Sequence, residues 1–109
     1  MRRGDIYTAA ARGEYSGKPR PVVIIQDDRF DATASVTVVP LTTSEVEAAL
    51  LRIPVQPSKT TGLTELSRLM VDKLTTVPRI SLTRRVGRLS DSDVVALDRA
   101  LVVFLGLAG

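Results

Sequence analysis

Apolar positions along this chain fall mostly in short β-branched runs and only once at helical spacing. Val22-Val23-Ile24-Ile25 shows no polar alternation, the pattern of a strand buried on both faces. A strand is therefore predicted over Pro21 to Gln26, with proline at its first residue, where strands tolerate it. Ala34 to Leu41 is a second β-branched run, with Pro40 late enough to mark an edge or bulge. Looser patterning predicts a strand from Arg3 to Ala10, a short one from Leu50 to Val55, and one strand or a pair of bent strands from Ser67 to Val77, ended by Pro78. A last short strand is expected within Ser81 to Leu89, around Arg85-Val86-Gly87. Then the period changes. Ser90 can cap a helix, Asp93 can answer from the third position, and Val94, Leu97, Leu101 and Leu105 follow at helical spacing. From Leu101 to Leu105 the segment is apolar all round, which suggests burial against the sheet and a place for a second subunit.

Between these elements, Ala9 to Lys18 lacks periodicity and collects Gly13, Ser16 and Gly17, which predicts a mobile loop. Asp27-Asp28-Arg29-Phe30-Asp31 and Thr60-Thr61-Gly62 read as turns. Five to seven short strands followed by one helix make a mainly β (α+β) chain, a small barrel-like antiparallel sheet rather than alternating β-α-β units. With no repeat or linker in 109 residues, residues 1–109 are expected to form a single domain, near the size at which pairing with a second copy adds useful burial.

Composition narrows the functions open to such a domain. There is no cysteine and no histidine, which rules out a disulfide framework, a thiolate nucleophile, a Cys/His zinc site and any histidine acid–base pair. No metal or cofactor is expected. Aromatics are 4% of the chain, too few to make the stacking platforms of many single-strand binders. The net charge of +3 is modest, but its distribution is uneven. Arg2, Arg3, Arg12, Lys18 and Arg20 crowd the first segment, and Arg68, Lys73, Arg79, Arg84, Arg85 and Arg88 a later one, whereas Asp27 to Leu50 is acidic. Folded onto one face, the two basic segments would make a polyanion site; scattered, they would only solubilise. Met1-Arg2-Arg3 leads into Gly4-Asp5 rather than an apolar signal region, and no apolar run reaches the roughly 18 residues of a membrane span, so a cytoplasmic protein without membrane contact is expected.

The remaining reactive inventory is guanidinium and hydroxyl. Pro19 and Pro21 restrict the backbone of Arg20 between them, so its side chain is aimed from the rim of a core strand. Thr42-Thr43-Ser44 ends the next strand. If those strands pair antiparallel through the Asp27 turn, the start of one lies beside the end of the other and Arg20 becomes the neighbour of Thr42. The plain alternatives are a solvated turn arginine and ordinary strand-end capping by threonine. Asp27, Asp28 and Asp31 are close enough to hold a cation, but three aspartates beside a strand end are more often a solvated turn.

Arg3-Gly4-Asp5-Ile6-Tyr7, Gly17-Lys18-Pro19-Arg20-Pro21-Val22-Val23-Ile24-Ile25-Gln26, Val39-Pro40-Leu41-Thr42-Thr43 and Leu105-Gly106-Leu107 together resemble the landmarks of the MazF/PemK toxin family, in an order that spans nearly the whole chain. The resemblance implies an SH3-like, CcdB-like β-barrel with a C-terminal helix, and a homodimer. It also implies a sequence-specific, metal-independent endoribonuclease acting on single-stranded mRNA and silenced by a cognate MazE-like antitoxin. Carried over by position, the family's catalytic arginine matches Arg20 and its threonine Thr42, with Thr43 the alternative. RNA is then expected near Lys18, Thr43, Asp72, Lys73, Thr75 and Thr76. A gyrase-binding poison of the related CcdB type shares the fold but depends on C-terminal residues including a tryptophan; this chain has no Trp and ends Leu-Ala-Gly. A non-catalytic nucleic-acid-binding barrel is a third possibility.

Overall fold

The two most β-branched runs of the sequence lie side by side at the centre of the sheet. In the computed structural model, which describes residues 1–10, 18–45 and 51–107, β2 (Arg20–Ile24) pairs antiparallel with β3 (Ser35–Thr42), Val23 facing Val39. β1 (Asp5–Ala9) continues the sheet on the far side of β2, and β7 (Leu82–Arg88) beyond that. On the other edge of β3 lie β5 (Ser67–Met70), then β4 (Arg52–Val55), while β6 (Thr75–Pro78) pairs with the first half of β3. The seven-stranded order is β4-β5-β3-β2-β1-β7, with β6 beside β3.

This path does not close, since β4 and β7 are its two ends. The antiparallel, mainly β architecture expected from the sequence is present, but the described strands form an open sheet rather than a closed barrel. The stretch from Ser67 to Val77 is the bent pair rather than a single strand. β5 and β6 follow one another along the same edge of β3, and a 3₁₀ turn at Val71–Lys73 loops out between them. Val71 anchors that turn in the core, while Lys73 is carried outward. β7 is longer than the short strand expected, because Thr83 and Arg84 extend its ladder along β1. The loop expected from Ala9 to Lys18 and the Leu50 start of the fourth strand fall largely or wholly outside the described residues.

Both faces of the central strands are covered. One face, with Ile6, Val23, Val39, Leu41 and Leu69, packs under the C-terminal helix α1 (Asp91–Phe104), which contributes Leu97, Ala100 and Leu101. The other holds a smaller cluster of Ala9, Val22, Ile24, Val36 and Val38. The helix begins as predicted: the Ser90 hydroxyl accepts from the Asp93 N–H at 3.2 Å, with Asp91 and Asp93 in the first turn. It ends at Gly106, whose φ of +74° lets the Gly106 and Leu107 N–H groups return to the carbonyls of Val103 and Val102. The all-apolar stretch at its end differs from expectation, since only Leu101 is buried; Val102, Val103, Phe104 and Leu105 are 39–58% exposed. The sheet is too narrow there to cover more than one side of the helix.

Candidate active site

Arg20 is an exposed residue at the first position of β2, paired with Ala9 on its β1 side. On its other side Val22 faces Pro40, the last pair of the β2–β3 ladder, and Arg20 and Thr42 each lie two residues beyond it, Thr42 as the last residue of β3. Side chains directly opposed in an antiparallel pair share a face and stand about 5 Å apart at Cβ. The antiparallel pairing of β2 with β3 predicted from the sequence is present, and it brings the start of β2 and the end of β3 to the same end of the ladder.

The Thr42 hydroxyl also does what the plain alternative expects, accepting from the Ser44 N–H at 3.1 Å. Capping and function do not exclude each other here. With a lone pair committed to Ser44, the hydroxyl is held in place and its own proton remains available to donate. On its second edge Thr42 faces Arg68 of β5, which in turn faces Pro54 of β4.

A groove of about 660 Å³ opens on this face of the sheet. Its floor includes Val22, Pro40 and Met70, each two residues from a member of the Arg20, Thr42, Arg68 row; Lys18, Arg20, Lys73 and Thr75 supply polar groups at its walls. The looped-out turn between β5 and β6 is what brings Lys73 there. Four of the residues singled out from the sequence thus share one groove, with Thr42 on the row at its end. Four do not line it: Thr42 lies two residues along β3 from Pro40, Thr43 follows the strand, Thr76 contacts the Thr37 hydroxyl at 3.1 Å, and Asp72 is held by Arg52. The Arg52 hydrogen bond holds the Asp72 carboxyl below the usual carboxylate range, so it stays ionised and unsuited to carrying a proton near neutral pH. Arg52 and Arg68 were not among the site residues expected, because only the register of β4 and β5 against β3 reveals where they stand.

The acidic turn is engaged internally. Asp27 accepts from the Arg29 backbone N–H at 2.8 Å and pairs with its guanidinium, contacts that depress its pKa in that order. Asp28 accepts from the Arg3 N–H at 2.7 Å and pairs with Arg2. Among the described residues no group of three or more His, Cys, Asp or Glu is placed to hold a metal ion.

Known proteins resemble this chain over almost all of its length. Residues 2–105 match the family described as PemK-like, MazF-like toxin of type II toxin-antitoxin system. The chain is 72% identical to a probable endoribonuclease MazF of Mycolicibacterium smegmatis, covering 100% of both chains. It is 31% identical to endoribonuclease MazF9 of Mycobacterium tuberculosis, covering 98% of each. The fold superposes with a TM-score of 0.81, at 23% identity and covering 98% of this chain and 96% of the other, on a mycobacterial endoribonuclease solved in complex with its cognate antitoxin. The match over residues 2–105 and the identity along the whole chain show that this chain belongs to the PemK-like, MazF-like toxin family of type II toxin–antitoxin systems.

Proposed function

We propose that the chain is a sequence-specific endoribonuclease toxin that cuts single-stranded RNA without a metal ion, with Arg20 and Thr42 as its catalytic pair. The single observation carrying this reading is the antiparallel β2–β3 ladder, which, continued two residues past Val22 and Pro40, matches Arg20 on the wall of a cationic groove with Thr42. In the reaction, the ribose 2′-oxygen forms a bond to the adjacent phosphorus, the bond from phosphorus to the 5′-oxygen breaks, the 2′-hydroxyl gives up its proton, and the departing 5′-oxygen takes one up. The products carry a 2′,3′-cyclic phosphate and a 5′-hydroxyl. No enzyme nucleophile is needed. What the step requires is stabilisation of the charge that builds on the pentavalent phosphate, and fixed donors supply it.

Arg20 offers a planar fork of N–H groups matched to phosphate oxygens, on a backbone held between two prolines. Thr42 offers one further O–H donor, oriented by its bond from Ser44. Arginine is not deprotonated in proteins, so the role of Arg20 is electrostatic. Lys18 and Lys73 hold the flanking backbone phosphates, and Thr75 adds a polar contact on the groove wall. The same cations suit an acidic segment of a MazE-like antitoxin, which would occupy the groove by imitating the RNA phosphates. In this reading the sheet is an open SH3-like barrel, and the exposed Val102, Val103, Phe104 and Leu105 are covered by a second copy in a homodimer. The gyrase-binding alternative is set aside, because the two curated relatives carry the endoribonuclease name.

The test is incubation of the purified protein with a mixed single-stranded RNA in EDTA, followed by analysis of the new ends. Cyclic phosphate and 5′-hydroxyl ends at a recurring sequence are expected. Intact RNA, or 5′-phosphate ends, would contradict the reading.

A further inference from the structure

We propose that Arg68 is a second phosphate-contacting guanidinium of this site, flanking Thr42 on the side opposite Arg20. The proposal rests on the reading of the site as a ribonuclease centre and adds a residue to it. Its basis is a continuous cross-strand row. Ala9 faces Arg20 across β1 and β2, the β2–β3 ladder continued two residues past Val22 and Pro40 matches Arg20 with Thr42, Thr42 faces Arg68 across β3 and β5, and Arg68 faces Pro54 across β4. Opposed residues of an antiparallel ladder share a face, so the row brings two guanidinium groups to either side of one hydroxyl.

The neighbouring residues fix which face this is. Leu41 and Leu69, one position along from Thr42 and Arg68, are paired and buried in the core beneath the helix. Period-2 alternation therefore turns Thr42 and Arg68 to the opposite face, the face of the groove. Met70, two residues from Arg68, lines that groove, as does Pro40, two residues from Thr42. The row Val22, Pro40, Met70 is floor; of the next row Arg20 lines the groove, and Thr42 and Arg68 continue that row beyond it.

The surroundings of Arg68 leave its charge uncommitted. Pro54, facing it across β4, has no polar side-chain atom, and among the described residues Arg68 enters none of the five ion pairs. The next arginine toward the edge, Arg52, is by contrast paired with Asp72 through its Nη1. Arg68 is half-buried, so its stem is packed and its position restricted before any ligand arrives. A pentavalent phosphate presents non-bridging oxygens on two sides, and one guanidinium satisfies one side. Arg68 is placed to take the other, and so to hold the phosphate centred over Thr42.

The experiment compares the parent with Arg68→Met, which keeps the stem and removes the charge, and Arg68→Lys, which keeps charge and stem but loses the fork. Two quantities are read: the single-turnover cleavage rate on a saturating RNA oligonucleotide, and the salt dependence of binding to the same oligonucleotide with 2′-deoxy substitution at the cut site. Arg68→Met should slow cleavage about 100-fold and flatten the plot of log affinity against log salt by about 0.7, one phosphate contact on a single strand. Arg68→Lys should keep the slope and lose about tenfold in rate, since a point charge does not replace a fork. A purely structural arginine would lower the melting temperature and leave the slope alone. Parental rate and slope in both variants would overturn the proposal while the ribonuclease reading stood. If the parent cut no RNA but Arg68→Met still flattened the slope, the phosphate contact would stand and the ribonuclease reading would fall. Should Arg68→Met not fold, Arg68→Lys decides: a parental rate there overturns the proposal.

Discussion

Arg20 and Thr42 begin and end adjacent strands, twenty-two positions apart in the chain, each two residues beyond the Val22–Pro40 pair that ends the β2–β3 ladder. Neither residue is unusual alone. Their relationship depends on a tight turn at Asp28–Phe30 that keeps the two strands in register, and the Asp27 carboxylate caps that turn through the Arg29 N–H.

Thr42 and Thr43 are separated by this geometry. Thr42 lies in the ladder opposite Arg68, and Thr43 is past its end. Thr42→Ala should lower the single-turnover cleavage rate by about 10² to 10³, the usual cost of one transition-state donor. Thr43→Ala should stay within tenfold of the parent. Equal losses in the two variants would remove the distinction.

RNA binding should weaken steeply with salt, because much of the contact is to phosphate. Each of Lys18→Ala and Lys73→Ala is expected to flatten the log–log salt slope by about 0.7. Lys59→Ala, at a residue that does not line the groove, should leave it unchanged. Titrations at several salt concentrations on a 2′-deoxy-substituted oligonucleotide check this.

The Arg52–Asp72 pair sets part of the acid stability. Asp72 has a folded-state pKa below its ordinary value of 3.8, so its contribution is complete above that value and is lost as pH falls through and below it. Asp72→Asn should therefore flatten the fall of melting temperature between about pH 4 and pH 2. A parental acid limb in Asp72→Asn would show that the pair is not what titrates.

Two glycines let the Ser58–Gly62 segment cross β7. A Cβ on Gly87 would lie 2.3 Å from the Thr61 carbonyl oxygen, and one on Gly62 only 2.0 Å from that of Val86. Both obstacles are backbone, so neither can swing away. Gly87→Ala should lower the melting temperature by at least about 5 °C, following an overpacking cost of roughly 1–3 kcal/mol. The cleavage rate per folded molecule should be unaltered, because the crossing is remote from the groove residues.

Local pattern carried much of this structure. The helix start was legible because Ser90 and Asp93 satisfy the first turn by themselves, and the central strands because Val, Ile and their neighbours must be buried on both faces. The antiparallel pairing of β2 with β3 was legible because only residues 25–34 join them. Contacts between distant segments were not. The position of Arg68 beside Thr42 depends on β5 returning to β3 from far along the chain, and nothing near Arg68 in sequence encodes that register. The break between β5 and β6 was legible only as an ambiguity, since Val71 reads equally well as a strand residue. The exposed end of α1 was misjudged because apolar composition does not say whether the sheet extends far enough to cover it.

The central claim is that Arg20 and Thr42 act on one phosphate as one site, and a double-mutant cycle tests it most directly. Single-turnover cleavage would be measured for the parent, Arg20→Ala, Thr42→Ala and the double variant, with melting temperatures confirming that each is folded. Each single substitution is predicted to cost about 10² to 10³ in rate, and the double variant much less than the product of the two, because each residue works only with the other in place. Losses that multiply, or an Arg20→Ala variant that cuts at the parental rate, would contradict the account.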